Sequence, residues 1–138
     1  MAGNNGKKGG PGDRYRVLIV DDAADLRLML RLQLEESGQF EVVGEAEDGA
    51  EGIELARERQ PDLILLDIAM PVRDGFEALP TLRTESPNSR IIILSSFQEA
   101  QLGRKALDLG AAAYLEKSVP PDEIADRLVE LMGSPQPD

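Results

Sequence analysis

Four apolar runs in this chain each lead into residues able to handle phosphate or a metal. Val17-Leu18-Ile19-Val20 is followed by Asp21 and Asp22, and Leu63-Ile64-Leu65-Leu66 by Asp67. Ile91-Ile92-Ile93-Leu94 runs into Ser95, and Ala113-Tyr114-Leu115 leads through Glu116 to Lys117. Laid side by side as parallel strands, these runs bring three carboxylates, a hydroxyl and an ammonium to the edge where open α/β sheets bind ligands. Carboxylates brought together repel one another unless a cation joins them. A hard, oxygen-only donor set suits Mg2+, which takes few protein ligands and keeps several waters. A carboxylate can also accept a phosphoryl group as an acyl phosphate, with an ammonium and a hydroxyl placed to hold the phosphoryl oxygens. The set reads as a magnesium-dependent phosphoacceptor site.

Each residue alone has a plainer explanation. Asp22 is a good helix cap with Asp21 a solvated neighbour, Asp67 a turn residue, Ser95 a hydroxyl bonded to backbone and Lys117 a surface cation. The functional reading rests on the combination, since all five fall at the carboxyl ends of strands in one sheet.

The elements that must position these groups follow from periodicity. Residues 16–20 read as a short apolar strand, after which Asp22 is placed to cap a helix and Asp25 to complement its dipole. That helix, over residues 23–37, repeats apolar side chains at Leu26, Met29, Leu30 and Leu34 and stops at Gly38. A strand at 40–46 leads to Asp48-Gly49 and a helix with Ile53 and Ala56 on one face, closed by Pro61. After a strand at 63–67 and the loop Met70-Pro71-Val72-Arg73-Asp74-Gly75, a helix runs to about Thr84. Pro80 lies inside it and predicts a kink or a shortened helix. Residues 90–95 form the fourth strand, and Leu102, Ala106 and Leu109 share one face of the next helix, ended by Gly110. Gly103 in that helix costs about 1 kcal/mol relative to alanine. It reads either as an exposed position that tolerates glycine or as a weak point in a mobile helix. A strand at 113–117 and a helix at 121–132, with Ile124, Leu128 and Leu131 facing inward, complete the series.

Strands alternating with helices imply right-handed βαβ crossovers and a parallel sheet covered on both faces. Near-continuous apolar strands are what such a sheet requires. The pattern by itself leaves the strand order open.

Composition narrows the function classes. At 138 residues the chain is one domain by size, with 41% hydrophobic and 30% charged residues. No apolar run approaches the roughly 18 residues needed to span a bilayer, and the start lacks the apolar stretch of a secretory signal. The absence of cysteine and histidine excludes disulfides, the usual zinc sites and Ser-His or Cys-His nucleophile pairs. A net charge of −11 argues against direct, sequence-independent nucleic-acid binding. Residues 1–13, rich in Gly and Asn, read as a disordered tail, residues 14–132 as the folded domain, and residues 133–138 as a tail or the start of a linker.

Four motifs together resemble the receiver domain of two-component response regulators, the CheY-like family. They are Val17-Leu18-Ile19-Val20-Asp21-Asp22, Asp67-Ile68-Ala69-Met70-Pro71 with Asp74-Gly75, Leu94-Ser95-Ser96 and Tyr114-Leu115-Glu116-Lys117, and they occur in the family's order. The resemblance implies an α/β fold, a doubly wound, flavodoxin-like parallel sheet of five strands in the order 2-1-3-4-5 with five helices. It implies Asp67 as phosphoacceptor. Asp22 and Asp67 would ligate Mg2+ directly, with Asp21 holding a metal-bound water and the Ala69 backbone carbonyl as a further ligand. Ser95 matches the switch hydroxyl, Lys117 the cation that pairs with the phosphoryl group, and Tyr114 the aromatic that turns inward on switching. The implied partners are a histidine kinase or a histidine phosphotransfer protein upstream. Downstream stands another protein or a second copy of this chain, met through helix 4, strand 5 and helix 5. The implied setting is cytoplasmic signal transduction, with a phosphoprotein rather than a turnover enzyme.

Ser118 stands where many family members carry proline, and the stretch from Lys117 to Glu123 looks more like receivers that precede a helix-turn-helix output domain. Two rivals remain from the residues alone. One is a receiver-like interaction module that works without phosphorylation. The other is a phosphohydrolase resembling the haloacid-dehalogenase family, against which Ala69 stands where such enzymes carry a second aspartate.

Overall fold

The computed structural model describes residues 13–68 and 75–133. Five strands alternate with five helices: β1 (Tyr15–Val20), α1 (Ala24–Glu36), β2 (Phe40–Ala46), α2 (Gly49–Arg59), β3 (Leu63–Leu66), α3 (Gly75–Glu85), β4 (Arg90–Ser95), α4 (Glu99–Asp108), β5 (Ala113–Glu116) and α5 (Pro121–Gly133). All strand pairs are parallel and the order is β2-β1-β3-β4-β5, the flavodoxin-like arrangement that the motifs imply.

Alternate residues of a strand point to opposite faces of its sheet. Leu18, Val20, Ile64, Leu66, Ile91 and Ile93 therefore pack beneath α2, α3 and α4, against Ile53, Ala56, Leu79, Leu82 and Ala106. Val17, Ile19, Leu63, Leu65, Ile92 and Leu94 pack beneath α1 and α5, against Leu30, Leu34, Ile124, Leu128 and Met132. Two buried faces explain why these strands are apolar at successive positions rather than at every second one.

Two local expectations are corrected. Asp22 does not cap α1: the N-cap residue is Ala23, whose side chain offers no capping acceptor. Pro80 lies inside α3, which ends at Glu85, one residue past the expected end near Thr84. Its missing N–H withdraws one helical bond, while the burial of Ala78, Leu79 and Leu82 on either side of it keeps the helix on the sheet. Gly103 is not an exposed position but a buried one, where a Cβ would lie 2.8 Å from Cγ of Glu99 one turn earlier. Asp48, by contrast, caps α2, its carboxylate accepting from the Glu51 N–H at 2.9 Å.

At the edge where the strands begin, arginines close three helix C-termini. Arg16 of β1 donates to the carbonyls of Arg59 (2.8 Å) and Gln60 (2.9 Å) behind α2. Arg90 of β4 donates to those of Leu131 (2.5 Å) and Met132 (3.1 Å) in α5, and Arg83 of α3 to Gly110 (3.0 Å) behind α4. The last carbonyls of a helix lack intrahelical donors and carry partial negative charge, so a guanidinium satisfies both their bonding and their electrostatics.

Candidate functional site

The strand ends are flush, which is what assembles the site. Backbone pairing continues one residue past them: the Asp21 N–H bonds the Ala46 carbonyl (2.9 Å), Asp67 N–H that of Val20 (2.9 Å), and Lys117 N–H that of Ser95 (2.7 Å). Asp21 and Asp67 thus leave neighbouring strands at the same height, and Lys117 arrives from β5 across Ser95. One carboxylate oxygen from each of Asp21, Asp22 and Asp67 lies within 4.8 Å of the others. Asp21 and Asp67 are buried, whereas Asp22 faces solvent.

Asp21 is held on every side. Its Oδ1 accepts from the Ala23 N–H at 2.9 Å, and its Oδ2 meets Lys117 Nζ at 2.9 Å. The correction to the cap of α1 has its physical reason here: Asp21, not Asp22, turns its carboxylate onto the backbone at the helix entry. The Asp22 side chain is thereby left for the acid cluster.

Lys117 Nζ also lies 3.6 Å from Asp67 Oδ2, so a single ammonium bridges the two buried acids. Burial is the strongest single influence on Lys117 and pulls its pKa down. The hydrogen bond to Asp21 and the negative charges of Asp67 and Asp21 together outweigh it, holding the pKa above the ordinary lysine value of 10.5. Lys117 is therefore charged at neutral pH. Among the described residues, three carboxylates against one ammonium leave two negative charges in excess, and the candidate metal donors are carboxylate oxygens. That set fits Mg2+.

Glycine at position 75 has a steric cause. The first residue of α3 comes so close to the end of β3 that a Cβ there would lie 2.6 Å from the Asp67 carbonyl oxygen and 2.7 Å from Ile68 Cα. The motif glycine thus lets α3 start directly against the backbone that carries Asp67. Ala69, expected to contribute its carbonyl, lies outside the described residues.

Ser95 and Tyr114 meet at one peptide segment. Ser95, fully buried, accepts the Phe97 N–H at its Oγ (3.1 Å), and the Tyr114 hydroxyl donates to the Phe97 carbonyl (2.9 Å). Tyr114 is itself buried, so the ring is turned inward. Nothing in the sequence singles out the backbone of Phe97 as this meeting point.

Residues 17–129 match the family described as response regulator receiver domain. The chain belongs to that family. A receiver domain of two-component response regulators is accordingly its place among signalling proteins. It is 36% identical over 117 residues to the chemotaxis protein CheY of Halobacterium salinarum, covering 85% of this chain and 96% of that one. It is 41% identical over 113 residues to the transcriptional regulatory protein LiaR of Bacillus subtilis, covering 82% of this chain but only 54% of the relative. Among solved structures, the response regulator domain of Thermotoga maritima CheB superposes with a TM-score of 0.77 at 34% identity, over 86% of this chain and 93% of that one.

Two features of the receiver's site escaped the sequence reading. Arg27 and Arg31, four residues apart on α1, both pair with Glu45 at the end of β2. Residues four apart share a helix face, but the acid that both arginines meet belongs to another element. Glu116, beside Lys117, reaches the start of α4, its Oε2 accepting the Glu99 N–H at 2.9 Å. It supplies from β5 the cap that Gln98 lacks.

Proposed function

We propose that Asp67 accepts a phosphoryl group from a histidine of a kinase or a phosphotransfer protein, and that the modified domain presents a changed surface to its next partner. The observation that carries this reading is the buried Asp67 carboxylate beside Asp21, Asp22 and the bridging ammonium of Lys117. An Asp67 carboxylate oxygen attacks the donor phosphorus. The phosphorus–nitrogen bond breaks, its electron pair returns to the imidazole, and that ring takes up a proton. Asp22 and Asp67 would hold Mg2+ directly, with Asp21 acting through water and the Ala69 carbonyl as a further ligand. When bound, the ion shields the negative charge of the incoming phosphoryl group.

Lys117 pairs with a phosphoryl oxygen once Asp67 has been modified, keeping its contact to Asp21. Ser95 uses its oxygen to accept the Phe97 N–H, which leaves its own hydrogen to be donated to the phosphoryl group. Tyr114 holds the carbonyl of the same residue, so movement of Ser95 passes through Phe97 to the face formed by α4, β5 and α5. That face binds a downstream protein or a second copy of the chain.

This is a phosphoacceptor in cytoplasmic signalling rather than a turnover enzyme, with no direct contact to nucleic acid. The receiver occupies residues 14–132, preceded by a tail and followed from residue 133 by a tail or linker. No described helix is long and apolar enough to cross a membrane.

The test is acetyl phosphate with Mg2+, read by intact mass on wild type and Asp67→Asn. A phosphate adduct on wild type, absent from Asp67→Asn, is the expected result. No adduct on either would favour the phosphorylation-independent module, and continuous release of phosphate would favour the hydrolase.

A further inference from the structure

We propose that Arg27 is a positioning residue that aims Asp22 into the metal cluster, an inference that rests on the phosphoacceptor reading above. Arg27 donates from Nη1 to the backbone carbonyl of Asp21 at 2.6 Å and from Nε to Glu45 Oε1 at 3.2 Å. Arg31 pairs with the other oxygen of Glu45 at 3.1 Å. The Arg27 side chain is only 18% exposed, so this is not a loose surface pair.

The carbonyl it grips belongs to the peptide joining Asp21 to Asp22. A peptide unit is planar, so fixing that oxygen fixes the plane and with it the direction in which the Asp22 Cα leaves. The other side of Asp21 is already pinned, by the Ala46 carbonyl on its N–H and by Ala23 and Lys117 on its carboxylate. Asp22, exposed and not used as a helix cap, is aimed by the two peptides that flank it: Arg27 grips the first, and the Ala23 N–H bond to Asp21 holds the second. An arginine one turn into α1 also opposes the helix dipole, a small cost that the grip on the carbonyl offsets. Glu45 holds the guanidinium from β2, and Arg31 steadies Glu45.

Charge and position make opposite demands on Mg2+ affinity, which makes the inference testable. Removing a cation beside an acidic site would by charge alone tighten Mg2+ binding. Loss of a group that orients a metal ligand weakens it, typically by about 10- to 100-fold. Calorimetric titration of Mg2+ into the full chain, wild type and Arg27→Gln, is therefore expected to show affinity falling about tenfold. Arg27→Lys, which keeps the charge and one donor, should recover part of the loss, and Glu45→Gln should show a smaller one. At saturating Mg2+ the acetyl phosphate reaction of Arg27→Gln should approach the wild-type rate, since the defect lies in holding the ligand.

Unchanged or tighter Mg2+ binding by Arg27→Gln, with only a lower thermal midpoint, would overturn the inference and leave the phosphoacceptor reading intact. Should Arg27→Gln not fold, Arg27→Lys decides by the same measurement: with the charge kept, weaker Mg2+ binding than wild type supports the inference and wild-type affinity overturns it. A wild type that neither binds Mg2+ nor takes up phosphate would remove the phosphoacceptor reading and this inference with it.

Discussion

At the edge where the strands end, Asp21, Asp22 and Asp67 crowd around a single ammonium. At the edge where they begin, Arg16, Arg83 and Arg90 each lie on the carbonyls that finish a helix. The same topology produces both. Parallel strands place every helix N-terminus near the first edge and every helix C-terminus near the second. The second edge thus offers orphan carbonyls, which arginine satisfies at a gain in stability. The first gathers like charges, which the Lys117 ammonium offsets only in part. One edge holds the fold together, and the other keeps an unmet electrostatic demand for a ligand to fill.

The contrast breaks most visibly in phosphoryl uptake. Asp67→Asn should abolish the adduct, whereas Arg90→Met, at the opposite edge, should leave both adduct and Mg2+ affinity as in wild type. A reduced Mg2+ affinity in Arg90→Met would show that the two edges are not independent. The next largest effect is on stability. Arg90→Met keeps the aliphatic stem but removes charged bonds to two carbonyls, and should cost about 2 kcal/mol by denaturant titration.

Asp22→Asn should act in the opposite direction. Without metal it removes one of three crowded charges and is expected to raise stability in EDTA. Saturating Mg2+ should reverse the order, because wild type then gains from binding the ion and the variant gains less. Unchanged stability in EDTA would mean that Lys117 already balances the cluster.

The smallest effect concerns alkaline pH. Lys117 has its folded pKa raised above the ordinary value of 10.5, so its ion pairs contribute fully below that value and fade as pH rises through the folded pKa. Lys117→Met should therefore show a metal-free deficit of about 1 kcal/mol or less, the ammonium being partly exposed. That deficit should stay flat from about pH 6 to pH 9 and shrink only above about 10.5. A deficit that varies across the neutral range would assign it to some other group.

Much of the receiver was legible from local pattern. Four apolar runs and the mixed stretch at 40–46 located the five strands, Gly38 and Gly110 ended their helices, both with positive φ, and the strand-end acids marked the site. Asp22 was misread because its type and place suit a helix cap equally well, and only the arrangement of Asp21 decides between the two uses. The exposed reading of Gly103 fails because glycine in a helix is silent about burial. The environment of that position comes from the sheet packed beneath α4.

By itself the sequence determined the alternation of strands and helices, the two buried sheet faces and the presence of three acids, a hydroxyl and an amine at strand ends. These depend on periodicities and residue chemistry that act within a few positions of the chain. The tertiary structure alone decided which partner each charged group would meet. Arg27 finds Glu45 across 18 residues and Arg90 finds Leu131 across 41, and Ser95 and Tyr114 meet at a peptide that neither adjoins. Hydrogen bonds require their partners within about 3 Å in a suitable direction. That proximity does not exist until the strands have paired in their order and the helices have docked on both faces.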